Sequence, residues 1–196
     1  MKRLVFLAMF LFIGLVSVSA QGFYFDIGIG VGLCTTEIDN EDVYDALYFP
    51  GIKEIAVDVG LKAGYGPIGG LPIYIVGDLS AVGHRMYDSD NYIQFNSYLI
   101  GPGIIFYPIP KLQLALSLGY SFAANDTDMP FIMAESDSGG ALSFSVAYDI
   151  GKGNHGCLIG IRGFFATNEL ETKVDQDTYY FGIFVRYAYR QKITKS

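Results

Sequence analysis

The chain has 196 residues, of which 51% are hydrophobic, 15% aromatic and 17% charged, and its formal net charge is −7. This composition excludes an intrinsically disordered chain, and it is too poor in charge for an ordinary soluble domain, where about 25% of residues are charged. The length allows one domain, and the acidic balance argues against nucleic acid as a partner, because phosphate binding needs a basic surface.

The first twenty residues have the form of a targeting peptide. Lys2 and Arg3 precede an apolar run over Leu4 to Val16, and the small residues Val18-Ser19-Ala20 follow it. The run is too short for a membrane-spanning helix, which needs about 20 apolar residues. We therefore predict a signal peptide over residues 1–20 and a mature chain that starts at Gln21. Its removal lowers the formal net charge from −7 to −9, because Lys2 and Arg3 are lost.

Beyond Gln21, apolar residues recur at every second position, which is the period of a β-strand and not of a helix. The predicted strands have roughly ten to thirteen residues, which is longer than soluble strands and close to the roughly 9–11 residues that cross a bilayer. Eight segments show this alternation: 23–34, 54–65, 73–84, 93–105, 112–122, 141–150, 157–165 and 179–190.

The fourth segment is the least regular of the eight. Its apolar positions are Ile93, Phe95, Leu99 and Ile105, and its second half is apolar on both faces. Pro102 lies inside it and has no backbone N–H to donate to a neighbouring strand. We therefore expect a bulge or irregular pairing near Pro102.

The connections alternate between short and long. Three turns rich in Gly and Pro (66–71, 108–111 and 151–156) alternate with four acidic, polar loops (35–52, 85–91, 124–139 and 167–177). An up-and-down meander with short turns at one end has this form, and a sheet in lipid must close because an open edge leaves backbone groups unsatisfied. The sequence therefore predicts an all-β fold, an eight-stranded antiparallel up-and-down transmembrane β-barrel, as a single domain over residues 21–196.

The two faces of the predicted strands differ in polarity. One face is apolar and almost without charge, whereas the other combines Gly, Ala and Ser with a few charged residues. The apolar face is predicted to contact lipid and the small-residue face to line a narrow lumen, which disfavours a soluble lipocalin-type barrel. Aromatic residues near strand ends are expected to form the interface belts on the outer face: Phe23, Phe25, Tyr65, Tyr107, Tyr120, Phe122, Tyr148, Tyr179, Tyr187 and Tyr189.

Six charged residues fall at similar depths on the lumen face. They are Asp26, Asp58, Lys62, Asp78, Arg162 and Arg186. Because buried charge without a partner is costly, we expect a network across the lumen, in which Asp26 and Arg186 are neighbours where the barrel closes. The network is either a structural plug or a polar gate, and the plug is favoured.

Cysteines and histidines do not form a recognisable reactive site. Cys34 lies at the loop end of the first strand and Cys157 at the turn end of the seventh, too far apart for a disulfide. His84 and His155 lack a Ser and an acid at a triad spacing, so catalysis is not predicted. The His and Cys residues are scattered, so neither a metal site nor a cofactor is predicted. Acidic loops could bind calcium weakly, but a solvated acidic surface is favoured.

Two loops mix acidic residues with apolar ones, and exposed apolar groups usually indicate a contact. The candidates are Tyr44, Leu47, Tyr48 and Phe49 in the first loop, and Met129, Phe131, Ile132 and Met133 in the third. Three interpretations remain open: packing of the loops as a lid or into the lipid boundary, capture of a small apolar molecule, and binding of a host or matrix protein.

A signal peptide, eight strands and alternating short turns and long loops resemble the small outer-membrane barrels of the OmpA, OmpX and OmpW type. The resemblance covers the mature chain and is architectural. It implies the bacterial outer membrane, lipid contact, extracellular long loops and periplasmic termini. The last strand resembles the signal read by the outer-membrane insertion machinery, with Gly182, Val185 and Tyr187 at the glycine and hydrophobic positions. Residues 190–196 extend beyond the usual terminal aromatic residue.

Function is less determined than fold. The prediction is a narrow channel or carrier for small solutes, among them hydrophobic ones as the OmpW resemblance implies. The alternative is a structural or adhesive surface protein with a plugged lumen, whose loops bind host or matrix partners as OmpX-like relatives imply. A lipid-active enzyme is the third class, and we predict that the protein is not an enzyme.

Overall fold

A computed structural model describes residues 20–46, 51–128, 136 and 138–191. The predicted signal peptide lies outside these residues, apart from Ala20, where the first strand begins. Eight long strands make up most of the described chain. They are β1 (Ala20–Ile38), β2 (Lys53–Ile68), β3 (Ile73–Tyr87), β4 (Tyr92–Ile109), β5 (Leu112–Ala123), β6 (Ser138–Asp149), β7 (His155–Glu169) and β8 (Asp175–Arg190).

Each long strand pairs antiparallel with the next, and β8 pairs with β1, so the sheet is closed. This confirms the predicted eight-stranded antiparallel barrel. Two short strands, Glu41–Asp42 and Asp126–Thr127, extend the sheet at its loop end, and a four-residue helix, Val43–Ala46, follows the first of them. Within the described ranges, no helix is long and apolar enough to cross a membrane.

The strands are strongly staggered around the barrel. Following paired residues from Tyr24 through each strand in turn leads back to β1 at Cys34, ten residues further along the chain. A stagger of this size in eight strands requires a tilt of about 35–45° to the barrel axis. Residues at one depth therefore come from positions that are not hydrogen-bonded neighbours.

The strands are longer than the alternation predicted, with 12 to 19 residues. Two predicted loops, 85–91 and 167–177, are partly strand, and only residues 88–91 and 170–174 connect β3 to β4 and β7 to β8. The polar residues at these strand ends still pair with their neighbours across the sheet. Backbone pairing thus continues beyond the apolar band from which the strand lengths were predicted.

At Pro102 the pairing has a gap, because Gly101 and Pro102 have no register partners on β5, but the bulge lies elsewhere. The pairing of β4 with β5 keeps one register on both sides of Pro102, and the register shifts between Phe106 and Ile109. The shift lies beside the turn that contains Lys111, whose φ of 78° falls in the left-handed region. The geometry of this tight turn therefore sets the position of the bulge.

The predicted outer face is correct for most strands and wrong for β4, where all four of the apolar residues assigned to it face inward. Ile93, Phe95, Leu99, Ile105 and Tyr107 are buried in the lumen. The exposed positions of this strand include Ile100, Ile104 and Phe106. Tyr107 is therefore not part of an interface belt. The β4 sequence is apolar on both faces, so alternation alone did not distinguish them.

The lumen also contains larger side chains than the predicted set of Gly, Ala and Ser. Tyr24, Phe164, Tyr180 and Phe184 are all buried inside the barrel. A closed barrel with this stagger encloses a volume that small residues alone do not fill, and protein interiors pack to crystal-like density.

Candidate functional site

A layer of charged side chains occupies the middle of the barrel. All six residues predicted for the lumen lie in it, and none is more than 2% exposed. Lys62 pairs with Asp78, and Arg162 pairs with Asp58. Arg186 lies 3.4 Å from Asp26 and 3.6 Å from Asp58, measured between the nearest nitrogen and oxygen atoms. Three carboxylates thus face three cations, and we call this set the charge layer.

Serine hydroxyls tie the charge layer to further strands. Arg162 donates from Nε to Ser143 Oγ and from Nη2 to Ser80 Oγ, both at 2.8 Å. Ser80 in turn donates to Asp78 Oδ1 at 2.9 Å. The guanidinium of Arg162 therefore contacts β2, β3 and β6 at once, which satisfies most of its donors in the interior.

Arg186 is held more loosely. Among the described residues, its Nε and Nη2 atoms have no hydrogen-bond partner, and the Oδ2 atom of Asp58 has none either. Two glycines make room for it: a Cβ atom at Gly60 would lie 2.7 Å from Nη2, and one at Gly28 would lie 2.5 Å from Cγ of Arg186. The absence of side chains at these positions lets a long cation lie along the inner wall.

Apolar side chains fill the barrel on both sides of the charge layer. Toward the turns lie Tyr24, Val76, Ile105, Tyr107, Ala115, Ala147, Leu158, Phe184 and Ala188. Toward the loops lie Cys34, Ala56, Val82, Leu99, Ala141, Phe164, Ala166 and Tyr180. The charged residues are therefore enclosed between two packed apolar layers.

A hydrogen-bonded chain that the sequence analysis missed links the charge layer to the turn end. Gln113 donates from Nε2 to the hydroxyls of Tyr24 and Tyr107, both at 2.8 Å. Tyr24 donates to Asp26 Oδ2 at 2.8 Å. Gln113 and Tyr24 both lie at inward positions of clearly alternating strands. Alternation alone would therefore have placed them in the lumen together with Asp26.

A second ion pair joins Asp149 on β6 to Arg190 on β8 at the turn end. Asp149 also accepts a hydrogen bond from the backbone N–H of Gly151 at 2.8 Å. Asp149 is an inward position of the sixth segment, and its partner Arg190 ends the last one. The inward position of Asp149 and the opposite charge of Arg190 are both visible in the sequence. The sequence alone did not suggest the pair, because residues at strand ends were assigned to aromatic belts and turns.

His84 has neighbours that sequence spacing did not reveal. Its Nδ1 atom lies 3.0 Å from Thr36 Oγ1, and its Nε2 atom lies 3.3 Å from Glu54 Oε2. A hydroxyl, an imidazole and a carboxylate are thus in contact, but Thr36 and His84 are almost fully buried. A buried hydroxyl does not reach a substrate, so the contact connects β1, β2 and β3. His155, at the other end, contacts the Tyr187 hydroxyl at 2.6 Å.

Metal-binding geometry is not found in the part of the chain that the structure describes. There, no group of three or more His, Cys, Asp or Glu side chains could hold a metal ion.

The two cysteines lie at opposite ends of the barrel. Cys34 pairs with Tyr180 and Cys157 with Tyr187, seven residues apart on β8, which corresponds to about 23 Å along the strand. Both thiols are free. The register therefore keeps them beyond disulfide distance.

The loop end of the barrel is strongly acidic. Among the described residues, its acids are Glu37, Asp39, Glu41, Asp42, Asp45, Glu54, Asp88, Asp90, Asp126, Asp128, Glu169, Glu171, Asp175 and Asp177. Its bases in the same ranges are Lys53, Arg85 and Lys173. Every described acid that is not inside the barrel thus lies at this end. Negative charge outside the lumen is therefore concentrated at the loop end of the barrel axis.

The first loop covers part of the loop-side mouth. Val43 of the short helix is buried with Met86, Ile93 and Phe95, and Tyr44 packs against this cluster. Of the predicted contact residues, only Tyr44 is described. Leu47, Tyr48, Phe49, Met129, Phe131, Ile132 and Met133 lie outside the described residues.

The predicted assembly-signal residues lie on β8, which closes the barrel. Gly182 faces the lumen, whereas Val185 and Tyr187 are exposed on the outer face. Their recognition by the insertion machinery stays a prediction.

No known protein family matches the chain, and no curated protein matches its sequence. Solved structures do match. Ail of Yersinia pestis, in complex with the heparin analogue sucrose octasulfate, has a TM-score of 0.50 and 13% identity, over 85% of this chain and 99% of that one. Neisserial surface protein A has a TM-score of 0.48 and 15% identity, over 83% and 96%. OprG of Pseudomonas aeruginosa has a TM-score of 0.44 and 10% identity, over 88% and 97%. The chain therefore has the fold of the small eight-stranded outer-membrane β-barrels.

Proposed function

We propose that the protein is a bacterial outer-membrane β-barrel with a closed lumen, which anchors and displays its extracellular loops. One observation carries this proposal: the interior is filled by the charge layer between two apolar layers. A solute that passed through would have to separate buried ion pairs, and breaking such a pair typically costs about 3–5 kcal/mol. The filled interior thus favours the surface-protein alternative over a channel through the barrel.

The acidic loop end indicates what kind of partner suits the loops. Charge complementarity steers a partner of opposite sign toward a surface and repels one of like sign. Ail has a heparin analogue bound in its crystal structure. A sulfated polyanion does not suit the loop end of this chain, where the described acids greatly outnumber the bases. We therefore propose a basic protein surface as the partner of these loops.

A carrier for small apolar solutes is the second candidate. The observation in its favour is the apolar cluster under the short helix, where Val43 meets Met86, Ile93 and Phe95 at the loop-side mouth. Uptake of an apolar fluorophore into liposomes that contain the protein tests this candidate. Uptake no faster than in protein-free liposomes would leave the surface-protein role.

Planar-bilayer recording tests the closed lumen. We expect no discrete conductance from the wild type, because the charge layer blocks the barrel. The substitution Arg186→Ala should lower the unfolding temperature in detergent without opening a large conductance, since the apolar layers remain. Regular conductance steps from the wild type would overturn the proposal.

Binding to immobilised polymers tests the loop surface. The protein in detergent should bind poly-L-lysine and not heparin, and the binding should weaken as salt is added. The double substitution Glu41→Gln and Glu171→Gln should weaken binding to polylysine. The substitution of Lys152 by Gln, at the opposite end of the barrel, serves as the control and should not.

A further inference from the structure

The turn-side mouth of the barrel contains a concave site that the proposed function does not use. This cup has a volume of about 430 Å³, and Tyr74, Tyr107, Lys111, Asp149 and Arg190 line it. Three prolines stiffen its rim: Pro67, Pro72 and Pro110. Sites for small ligands typically have about 300–1,000 Å³ and combine apolar walls with a few placed polar groups.

Aromatic rings form the floor of the cup and are held in place from below. The rings of Tyr74 and Tyr107 lie 6.0 Å apart, edge to face, and Tyr74 lies 5.1 Å from Tyr24. The Tyr107 side chain is 8% exposed, and its hydroxyl accepts the hydrogen bond from Gln113. The floor is therefore arranged before any ligand arrives, which reduces the ordering cost of binding.

The charges of the cup favour an anion. Arg190 pairs with the buried Asp149, and its guanidinium lies 5.2 Å from the centroid of the Tyr107 ring. Lys111 carries a second cation on the adjoining turn and also lines the cup. Among the described residues, Asp149 therefore compensates one of the two cations that line the cup. All other acids in the described ranges lie in the charge layer or at the loop end.

We propose that this cup binds a small organic carboxylate with an apolar or aromatic body. The Lys111 ammonium and the outer N–H groups of Arg190 hold the carboxylate, because a guanidinium retains free donors after it pairs with one carboxylate. The rings of Tyr74 and Tyr107 pack against the apolar body. The site lies at the end of the barrel opposite the loops, so it is independent of their role.

Calorimetry with a matched pair of probes tests the site. N-acetyl-L-phenylalanine has a carboxylate beside an aromatic ring, and its amide differs only in lacking that charge. The full chain in detergent should bind the acid at least tenfold more tightly than the amide. Equal binding of the two probes, or no binding of the acid, would overturn the proposal.

Two lysine variants locate the site. The substitution Lys111→Asn tolerates the positive φ of this turn position, since Asn enters the left-handed region more readily than most residues. It should weaken binding of the acid at least fivefold. Lys152→Gln removes the same charge from the neighbouring turn, where Gly151 and Gly153 line the cup but the Lys152 side chain does not, and it should leave binding unchanged. Equal losses in the two variants would show general charge attraction and contradict a built site. The binding results for the two lysine variants depend neither on conductance through the barrel nor on the loops, so they test the cup separately from the proposed function.

Discussion

Arg162 on β7 meets Asp58 on β2 in the middle of the barrel, although 104 residues separate them in the chain. Three steps around the barrel wall separate their strands, so the pair spans part of the lumen and is not a cross-strand neighbour contact. The strand tilt brings the two residues to similar depths. This pair is the centre of the charge layer, because Arg162 also reaches Ser80 and Ser143 and Asp58 also faces Arg186.

The substitution Arg162→Met should lower the free energy of unfolding by about 3 kcal/mol, because it leaves Asp58 buried with only the more distant Arg186. Urea titration in detergent micelles, followed by the gel mobility of folded and unfolded chains, measures the loss. Addition of Asp58→Asn should recover part of it, because the stranded carboxylate is removed. Lys53→Gln, at an exposed position on β2, is the control. A double variant that is less stable than Arg162→Met alone would contradict direct pairing.

The glycines beside Arg186 provide a packing test. Gly60→Ala places a methyl group 2.7 Å from Nη2 of Arg186, so the flexible guanidinium must shift, and the barrel should lose about 1 kcal/mol, the low end of the range for overpacking. Gly140→Ala is the matched control, because no atom of the described residues, its two chain neighbours aside, lies within 4 Å of its Cβ position. The same urea titration compares them. Equal stabilities would show that Arg186 does not lie along Gly60.

The two free cysteines report on the faces of the barrel. Cys34 faces the filled lumen and is 9% exposed, whereas Cys157 is half-buried at the turn end of β7. A small uncharged maleimide should therefore label Cys157 faster than Cys34 in native micelles. Mass spectrometry of the Cys34→Ser and Cys157→Ser variants measures each rate, and urea-unfolded protein should show similar rates. Faster labelling of Cys34 would argue for an open loop-side lumen.

The turn between β3 and β4 should loosen in acid. The Asp88 carboxylate accepts hydrogen bonds from the backbone N–H groups of Asp90 and Asn91, both at 2.8 Å, and these bonds lower its pKa. A lowered pKa means that the stabilisation is complete above the unfolded value, about 3.9, and is lost as the pH falls through the folded pKa. Amide exchange at Asp90 and Asn91, corrected for intrinsic rates, should increase at low pH.

Asp88→Ala should expose these two amides at every pH and remove the acid dependence. Asp126→Ala is a control from the neighbouring segment, since Asp126 bonds the Tyr92 hydroxyl and not the turn amides. Exchange that keeps its acid dependence in Asp88→Ala would assign the effect to another group.

Period-two alternation was sufficient for the fold because each strand has two chemically different sides. It identified eight strands, the outward apolar set on most of them, and the six inward charges. It was insufficient for β4, where Leu99 and Ile100 are both apolar and no neighbouring polar residue distinguishes the inner face from the outer one. It also underestimated the strand lengths, because polar residues beyond the apolar band pair as well as apolar ones do.

Partners within the lumen depend on the stagger, which local sequence does not encode. Which face a residue occupies is a local property of each strand, so alternation alone places Asp58, Arg162 and Arg186 on the inner face. Closure of the sheet is needed to pair Arg162 with Asp58, to place Arg186 between Asp26 and Asp58, and to bring Tyr107 into the interior. The ten-residue stagger determines which residues of different strands lie at the same depth in the barrel. The size of the stagger is fixed only when all eight strands pair into the closed sheet. The cup at the turn end has the same origin, because its residues come from separate strands that meet only in the closed barrel.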